Sequence, residues 1–186
     1  MEIRVSEENE QADIEKIHNA AFKKTEGAEK AREIARLVHD LFNDETAMPI
    51  HSLVAVDNGK LIGHVLFTKV TITDCPVEVD AQILAPLAVM PDYQSTGIGG
   101  RLIKAGLDLL KQAGTDLVFV LGHIDYYPRS GFINDAKRLG FEAPYPIPEE
   151  FAGAWMVMGL SPGSIDRAGG TVKCSDVLNQ PEHWRE

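Results

Sequence analysis

Three glycines and three polar residues lie together in the segment 94–100, which reads Gln-Ser-Thr-Gly-Ile-Gly-Gly. Glycine has no side chain, so it lets a ligand approach the backbone N–H groups closely. Helical spacing of apolar residues begins at Ile98, which places these N–H groups at the start of a helix. The first N–H groups of a helix lack partners within it, and the helix dipole adds partial positive charge. The segment therefore predicts a site for a phosphate or pyrophosphate.

Two common phosphate motifs do not fit the spacing of this segment. A dinucleotide fingerprint that starts at Gly97 needs a further glycine where Leu102 stands. A P-loop needs Gly-Lys-Ser or Gly-Lys-Thr, where this chain has Gly-Arg-Leu. The structural alternative is a close-packed turn in which glycine only allows a strand and a helix to touch, and the residues further along the chain decide between the two.

A second motif, the segment 127–132, reads Tyr-Pro-Arg-Ser-Gly-Phe. The pattern Gln-x-x-Gly-x-Gly after an apolar strand resembles the acyl-CoA signature of the GCN5-related N-acetyltransferases, the GNAT family. The second motif resembles the Tyr-x-x-x-Gly-Phe that follows the fifth strand in that family. Each motif alone is moderately specific. Their order, with the apolar strand Leu117 to Leu121 between them, makes the pair a strong indication.

The resemblance implies an enzyme that transfers the acetyl group of acetyl-CoA to a primary amine of a small molecule or a peptide, with no metal. Tyr127 is then the catalytic acid that protonates the leaving thiolate, because a phenol has a pKa near that of a thiol. Tyr126 is the neighbouring alternative, and a purely structural aromatic residue is another. A non-catalytic acyl-CoA-binding regulatory module is the alternative function. The residues expected to bind the cofactor are Leu87, Ala88, Val89, Gln94, Ser95, Thr96, Gly97, Ile98, Gly99 and Gly100.

The apolar run Ile83 to Val89 contains Pro86. Proline cannot donate to a sheet ladder, so it indicates an edge strand or a bulge. The resemblance implies that the fourth and fifth strands splay apart and that freed amides of the fourth strand bind the pantetheine arm of CoA. The N–H of Leu87 or Val89 is the candidate that stabilises the oxyanion. A plain edge strand is the alternative explanation.

The general base is less clearly indicated than the acid. Glu78, Asp80 and Gln82 alternate before Pro86, which predicts that they share one face of a strand. The other candidates are His64 and His123, and Arg129 is a candidate for the nucleotide end of CoA. Each of these side chains is also explained as an ordinary solvated or hydrogen-bonded polar residue.

The elements that must hold these residues indicate an α/β (α+β) fold. An Asn-Gly turn at 58–59 predicts a hairpin, and the helix after Gln94 predicts that the strands on either side of it are parallel. The resemblance implies a mixed, mostly antiparallel sheet of about six to seven strands, with helices on both faces and a parallel, splayed strand 4/strand 5 pair. The predicted strands are Glu2 to Val5, Ser52 to Val56, Leu61 to Lys69, Ile83 to Val89, Asp116 to Gly122, Phe132 to Ala136 and Ala154 to Leu160. The predicted helices are Asn9 to Phe22, Glu29 to Phe42, and the helix between Gln94 and Ala113.

Composition limits the remaining choices. With 186 residues, 44% of them hydrophobic and 25% charged, the chain suits a single domain, 1–186, in which 161–186 is a C-terminal extension. A net charge of −10 argues against nucleic acid as a partner. No apolar run is long enough to span a membrane, and the opening residues lack a signal sequence, so we expect a cytoplasmic protein. The two cysteines, Cys75 and Cys174, suggest neither a disulfide nor a metal site, and whether the chain forms a homodimer is left open.

Overall fold

The structure is a computed structural model that describes residues 1–185. A sheet of nine strands runs through this part of the chain. The strands are β1 (Glu2–Val5), β2 (His51–Asp57), β3 (Lys60–Thr73), β4 (Ala81–Val89), β5 (Leu117–Leu121), β6 (Ile133–Asn134), β7 (Phe141–Glu142), β8 (Trp155–Gly159) and β9 (Gly170–Lys173). The helices are α1 (Gln11–Glu26), α2 (Ala28–Phe42), α3 (Ile98–Gln112) and α4 (Ser164–Arg167).

The sheet is mixed and mostly antiparallel, as predicted. Its main order is β1-β2-β3-β4-β5-β8-β6, and β9 pairs with both β3 and β7. The pair β4–β5 is parallel because α3 carries the chain back across the sheet between them. The hairpin between β2 and β3 turns at Asn58 and Gly59, whose φ angles of 48° and 75° are those that a tight hairpin turn needs.

Helices cover both faces of the sheet. The α3 face buries Ile98, Leu102 and other apolar residues of α3 against Val65 and Phe67 of β3. On the opposite face, α1 and α2 bury apolar residues against the alternate positions, such as Leu66 of β3. No helix of the described part of the chain combines the length and apolarity needed to cross a membrane.

Several predicted boundaries are wrong. The strand predicted at Phe132 to Ala136 has only two residues, β6, because Asp135 takes a left-handed φ of 58° and a 3-10 turn follows. The short strands β7 and β9 were not predicted, so the expected six to seven strands become nine. Both are too short to show a period in the sequence, and each forms by pairing with residues distant along the chain.

The residues after β8 pack onto the face of the sheet that carries α1 and α2. Strand β9 extends β3 by pairing with residues 71–73. Trp184 is 3% exposed, its ring centroid lies 5.4 Å from that of Trp155, and its Nε1–H donates to the Leu178 carbonyl at 2.9 Å. The segment therefore supplies part of the apolar core on this face.

Candidate active site

A gap opens between β4 and β5 at their carboxyl ends. The two strands pair only where Ala81–Ile83 of β4 meets Leu117–Phe119 of β5. Beyond Phe119, β5 continues against β8 as far as the Leu121–Trp155 pair, whereas β4 continues against β3. The predicted splay is confirmed, and it leaves one side of β4 from residue 84 to residue 89 without a neighbouring strand.

Pro86 lies in a bulge at the edge of this gap. Leu84 of β4 is opposite Phe67 of β3, and Leu87 is opposite Val65. Two residues of β4, Ala85 and Pro86, therefore face a single residue of β3, which is the definition of a β-bulge. A bulge already lacks one hydrogen bond of the ladder. Proline, which has no N–H to donate, therefore costs no further bond at this position.

The alternation of strand β4 sets the direction of its N–H groups. The Met90 N–H donates to the Ile62 carbonyl of β3 at 2.8 Å. Since successive residues of a strand point their backbone groups to opposite sides, Leu87 and Val89 point theirs toward the gap. The Val89 carbonyl accepts a bond of 3.1 Å from Nε2 of Gln94, so this side chain ties the turn to the end of β4.

The turn at 94–97 leads directly into α3. Gly97 has φ 86°, a left-handed conformation that glycine adopts without strain, and Ser95 has φ 63°. Arg101 makes the first helical bond, to the Gly97 carbonyl at 3.1 Å, so the N–H groups of residues 98–100 precede it. The first turn of α3 carries no acidic residue. The start of α3 at Ile98 is where the helical spacing of apolar residues predicted it, and no helical bond uses the N–H groups of the predicted anion site there.

Gly99 differs in its surroundings from the other two glycines of the turn. A Cβ at Gly99 would collide with the hydroxyl of Tyr126, whereas a Cβ at Gly100 would meet no atom within 4 Å. Gly99 therefore has a role in packing in addition to the ligand approach predicted for the three glycines. Its missing side chain makes room for Tyr126 against the first turn of α3.

Tyr126 and Tyr127 form an aromatic group beside the end of β5. Their ring centroids are 5.2 Å apart, and the Tyr127 ring packs on Phe132 at 5.9 Å and against Gly122. Burial raises the pKa of both phenols, with Tyr126 adding to the rise at Tyr127. Both tyrosines thus stay protonated at neutral pH. Neither hydroxyl has a hydrogen-bond partner within residues 1–185.

A basic cleft of about 520 Å³ follows the exposed side of α3. Gly100 lies at one end of it, and Lys104, Lys111 and Arg129 line it. Lys104 also forms an ion pair with Asp108 at 2.8 Å. The chain after β5 forms a 3-10 turn at Tyr127–Ser130, and Arg129 and Ser130 of this turn line the cleft on the side facing α3. The two lysines were not predicted from the sequence.

The candidate bases fall in different places. Glu78 and Asp80 precede β4, which begins at Ala81, so they do not alternate along a strand with Gln82 as predicted. They lie at the opposite end of β4 from Leu87, on the order of 20 Å away at the usual rise per residue. His123 is exposed after β5. His64 is fully buried and bonded to two other side chains, one of them His18, which the sequence did not indicate.

Comparisons with known proteins agree with this geometry. Residues 2–133 match the family model of the acetyltransferase (GNAT) domain. The chain is 42% identical over 175 residues to the uncharacterized N-acetyltransferase YjhQ of Escherichia coli strain K12, covering 92% of this chain and 91% of YjhQ. The crystal structure of Escherichia coli YhbS in complex with CoA is similar with a TM-score of 0.82 and 28% identity, over 96% of this chain and 92% of that one. A GNAT family acetyltransferase from Brucella melitensis in complex with acetyl-CoA is similar with a TM-score of 0.72 and 27% identity, over 95% and 97%.

Proposed function

Because the chain belongs to the GNAT acetyltransferase family, we propose that it transfers the acetyl group of acetyl-CoA to a primary amine of a small molecule or a peptide. The observation that carries the proposal is the splay of β4 from β5 beside a free helix N-terminus. The complexes of YhbS with CoA and of the Brucella protein with acetyl-CoA support the same donor for this chain.

The cofactor's phosphates would lie at the turn and the first turn of α3. Seven residues of this segment were predicted to bind them, and the N–H groups of 98–100 are free for this purpose. Gln94 acts indirectly, because its amide is bonded to Val89 and holds the turn in place. Lys104 and Arg129 would attract the nucleotide end of CoA into the basic cleft.

The thioester would lie in the gap, along the unpaired side of β4. There the cofactor can take the place of the missing strand by accepting hydrogen bonds from the N–H groups of Leu87 and Val89. The N–H of Ala88, between them, faces β3. A backbone N–H that already points at the developing oxyanion needs no reorganisation during the reaction. We assign the oxyanion to the Leu87 N–H, because Leu87 directly follows the bulge.

We assign the acid role to Tyr127. Its phenol is protonated at neutral pH and can therefore donate a proton to a thiolate that develops beside it. The Tyr126 hydroxyl lies against Gly99 at the start of α3, closer to the proposed phosphate site, so we assign Tyr126 to cofactor binding.

The chemistry needs no metal, and the part of the chain that the structure describes contains no group of three or more His, Cys, Asp or Glu side chains that could hold one. Both cysteines are free thiols, which suits the reducing conditions of the cytoplasm. We therefore propose a cytoplasmic enzyme that uses acetyl-CoA as its donor substrate.

Thermal unfolding with and without ligand tests the cofactor assignment. A ligand at about 100 times its dissociation constant stabilises a protein by roughly 2.7 kcal/mol, a melting shift on the order of 5–11 °C for a domain of this size. Acetyl-CoA should give this shift and NADH should give none. Equal shifts with both ligands would contradict the assignment. Free-thiol release in a screen of amines, amino acids, polyamines and peptides then tests transfer itself.

A further inference from the structure

The side-chain amide of Asn134 bridges two backbone carbonyls beside the carboxyl end of β5. Asn134 is the second residue of β6 and lies opposite Met156 of β8. Its Nδ2 donates to the Gly153 carbonyl at 2.9 Å and to the Ile124 carbonyl at 3.4 Å. The amide nitrogen carries two hydrogens and both partners are acceptors, so one hydrogen serves each carbonyl. This side chain therefore joins β6, the segment that leads into β8, and the turn that follows β5.

The bridge lies where the ladder between β5 and β8 comes to its end. Strand β5 ends at Leu121. One more backbone bond follows, from the Gly122 N–H to the Ala154 carbonyl at 3.0 Å. Beyond that bond, the amide of Asn134 continues the connection between the two segments by binding the Ile124 carbonyl on one side and the chain before β8 on the other. The turn that carries the two tyrosines thus begins at a point held by a side chain.

The ring of Tyr127 packs against both of the segments that precede the ends of this bridge. A Cβ at Gly122 would collide with the Tyr127 ring, so the ring lies directly on the backbone there. The second contact is the ring of Phe132, which is 3% exposed, with its centroid 5.9 Å from that of Tyr127 and its plane nearly perpendicular. Gly122 is two residues before Ile124, and Phe132 is two residues before Asn134. The bridge therefore ties together the two segments on which the Tyr127 ring rests.

Packing, and not a hydrogen bond, sets the direction of the Tyr127 phenol. Its hydroxyl has no hydrogen-bond partner among the side chains and backbone of residues 1–185. Its N–H lies 3.5 Å from the His123 carbonyl, at the limit of a hydrogen bond. A general acid must lie within about 2.6–3.2 Å of the atom that it protonates. A shift of the two segments that support the ring would therefore move the phenol out of reach.

Tyr126 rests on a different neighbour. Its hydroxyl lies against Gly99 in the first turn of α3, so the contact that holds its outer end comes from the helix. The bridge at Asn134 is thus expected to matter for Tyr127 more than for Tyr126.

We propose that Asn134 is a positioning residue that holds Tyr127 where its phenol can protonate the leaving thiolate. The inference rests on the acetyl transfer and the acid role of Tyr127 proposed above. In that step the amine nitrogen bonds to the acetyl carbon, and the carbon–sulfur bond breaks with its electron pair on sulfur. The phenol proton moves to the sulfur, and the phenolate takes up the proton that the nitrogen loses.

Asn134→Ala tests the proposal, because it removes the amide and leaves both tyrosines unchanged. We expect kcat with an active amine to fall on the order of 10-fold, since a misplaced catalytic group loses much of its effect. The loss should be smaller than that of Tyr127→Phe, because the acid is still present. The KM for the amine and the dissociation constant for acetyl-CoA should not change. Asn134→Thr also lacks the amide and suits a strand, so it should show the same loss of kcat even if Asn134→Ala folds poorly.

A double-mutant cycle distinguishes positioning from a general loss of structure. If the amide acts through the phenol, its removal should cost nothing more once the phenol is gone. The double variant Tyr127→Phe, Asn134→Ala should therefore have the kcat of Tyr127→Phe alone. Losses of kcat that multiply in the double variant would overturn the proposal.

Asn43→Ala is the matched control. Nδ2 of Asn43 also donates to a backbone carbonyl, that of His39, at 2.8 Å, but it does so at the end of α2. Its removal costs a bond of the same kind away from the tyrosines, so kcat should match that of the parent.

The other outcomes separate this inference from the proposed function. An active parent whose Asn134 variants lose only melting temperature would overturn the inference and leave the proposed function standing. Variants that bind acetyl-CoA more weakly at the parent's kcat would do the same, because the amide would then act through Tyr126. A parent that binds acetyl-CoA but acetylates no amine in the screen would overturn the proposed function, and the role of Asn134 with it.

Discussion

The two faces of the central sheet are assembled over different distances along the chain. On the α3 face, the bond that anchors the turn joins Gln94 to Val89, five residues apart. On the α1 and α2 face, the bond between the two buried rings joins His18 to His64, 46 residues apart, and the core is completed by Trp184 near the end of the chain. On the α3 face, the turn and the start of the helix form a short local unit, whereas the polar and aromatic groups of the opposite face depend on packing between distant segments.

Because of this difference, we expect substitutions on the two faces to affect different properties, ligand binding on one face and stability on the other. The α3 face offers a ligand backbone N–H groups at a helix start, which changes in exposed side chains leave in place. The opposite face holds its polar and aromatic groups by burial, so loss of a single ring there leaves a cavity. We expect damage to the first face to reduce activity with the fold kept, and damage to the second to reduce stability first.

Trp184→Ala should have the largest effect. Loss of a buried aromatic side chain destabilises a protein by about 3–5 kcal/mol, because both transfer energy and packing are lost. Chemical denaturation measures this as a lower free energy of unfolding, while acetyl-CoA binding by the folded fraction should stay the same. Phe151→Ala is the control, because Phe151 is 37% exposed and should cost far less. Similar losses from both variants would show that the residues after β8 add little to this core.

The α3 face could be predicted from the sequence because its signals are local. The apolar run of β4, the three glycines and the helical period of α3 follow one another between residues 83 and 112. Pro86 indicated an edge strand or a bulge, since the missing N–H restricts where proline can stand in a sheet, and the structure has the bulge. What local reasoning missed was the partner of Gly99, because Tyr126 comes from a turn beyond the next strand.

The opposite face could not be predicted in the same way. Strand β9 forms by pairing with residues 71–73 of β3 and with β7, and nothing within its four residues indicates either partner. Trp184 and Trp155 meet across 29 positions of sequence, and His18 reads as an ordinary polar residue on a helix. Long-range pairing of this kind leaves no period or spacing in the sequence.

Tyr127→Phe and Tyr126→Phe separate catalysis from cofactor binding within the α3 face. If Tyr127 protonates the leaving thiolate, its loss should lower kcat on the order of 10²-fold, provided that chemistry limits turnover. The affinity for acetyl-CoA should barely change, since the ring and its packing on Phe132 remain. Tyr126→Phe should keep kcat and weaken acetyl-CoA binding instead, because its hydroxyl lies at the start of α3.

Steady-state rates with an active amine and binding titrations with acetyl-CoA distinguish the two tyrosines. If Tyr126→Phe shows the loss of kcat and Tyr127→Phe does not, the assignments are exchanged. If both variants bind acetyl-CoA and turn over as the parent does, the tyrosines are structural and another group supplies the proton.

The smallest expected effect is that of a single buried ring, His18 or His64, on the dependence of stability on pH. The folded protein holds both pKa values below the ordinary 6.5, so the unfolded chain binds more protons as pH falls through 6.5. Stability is therefore complete above that pH and falls below it. Between pH 7.5 and pH 5.5 each ring should remove about 1.4 kcal/mol from the free energy of unfolding.

His64→Gln tests this dependence directly, because it removes one of the two titrating rings. Its free energy of unfolding, measured by denaturant titration at each pH, should fall less steeply than that of the parent over the same range. Partly buried His51 and His183 also have lowered pKa values and add to the slope of both proteins, so only the difference between the curves is informative. If the free energies of unfolding of the variant and the parent fall equally with pH, His64 titrates in the folded protein as it does in the unfolded chain. The face opposite α3 would then be more open to water than its packing indicates.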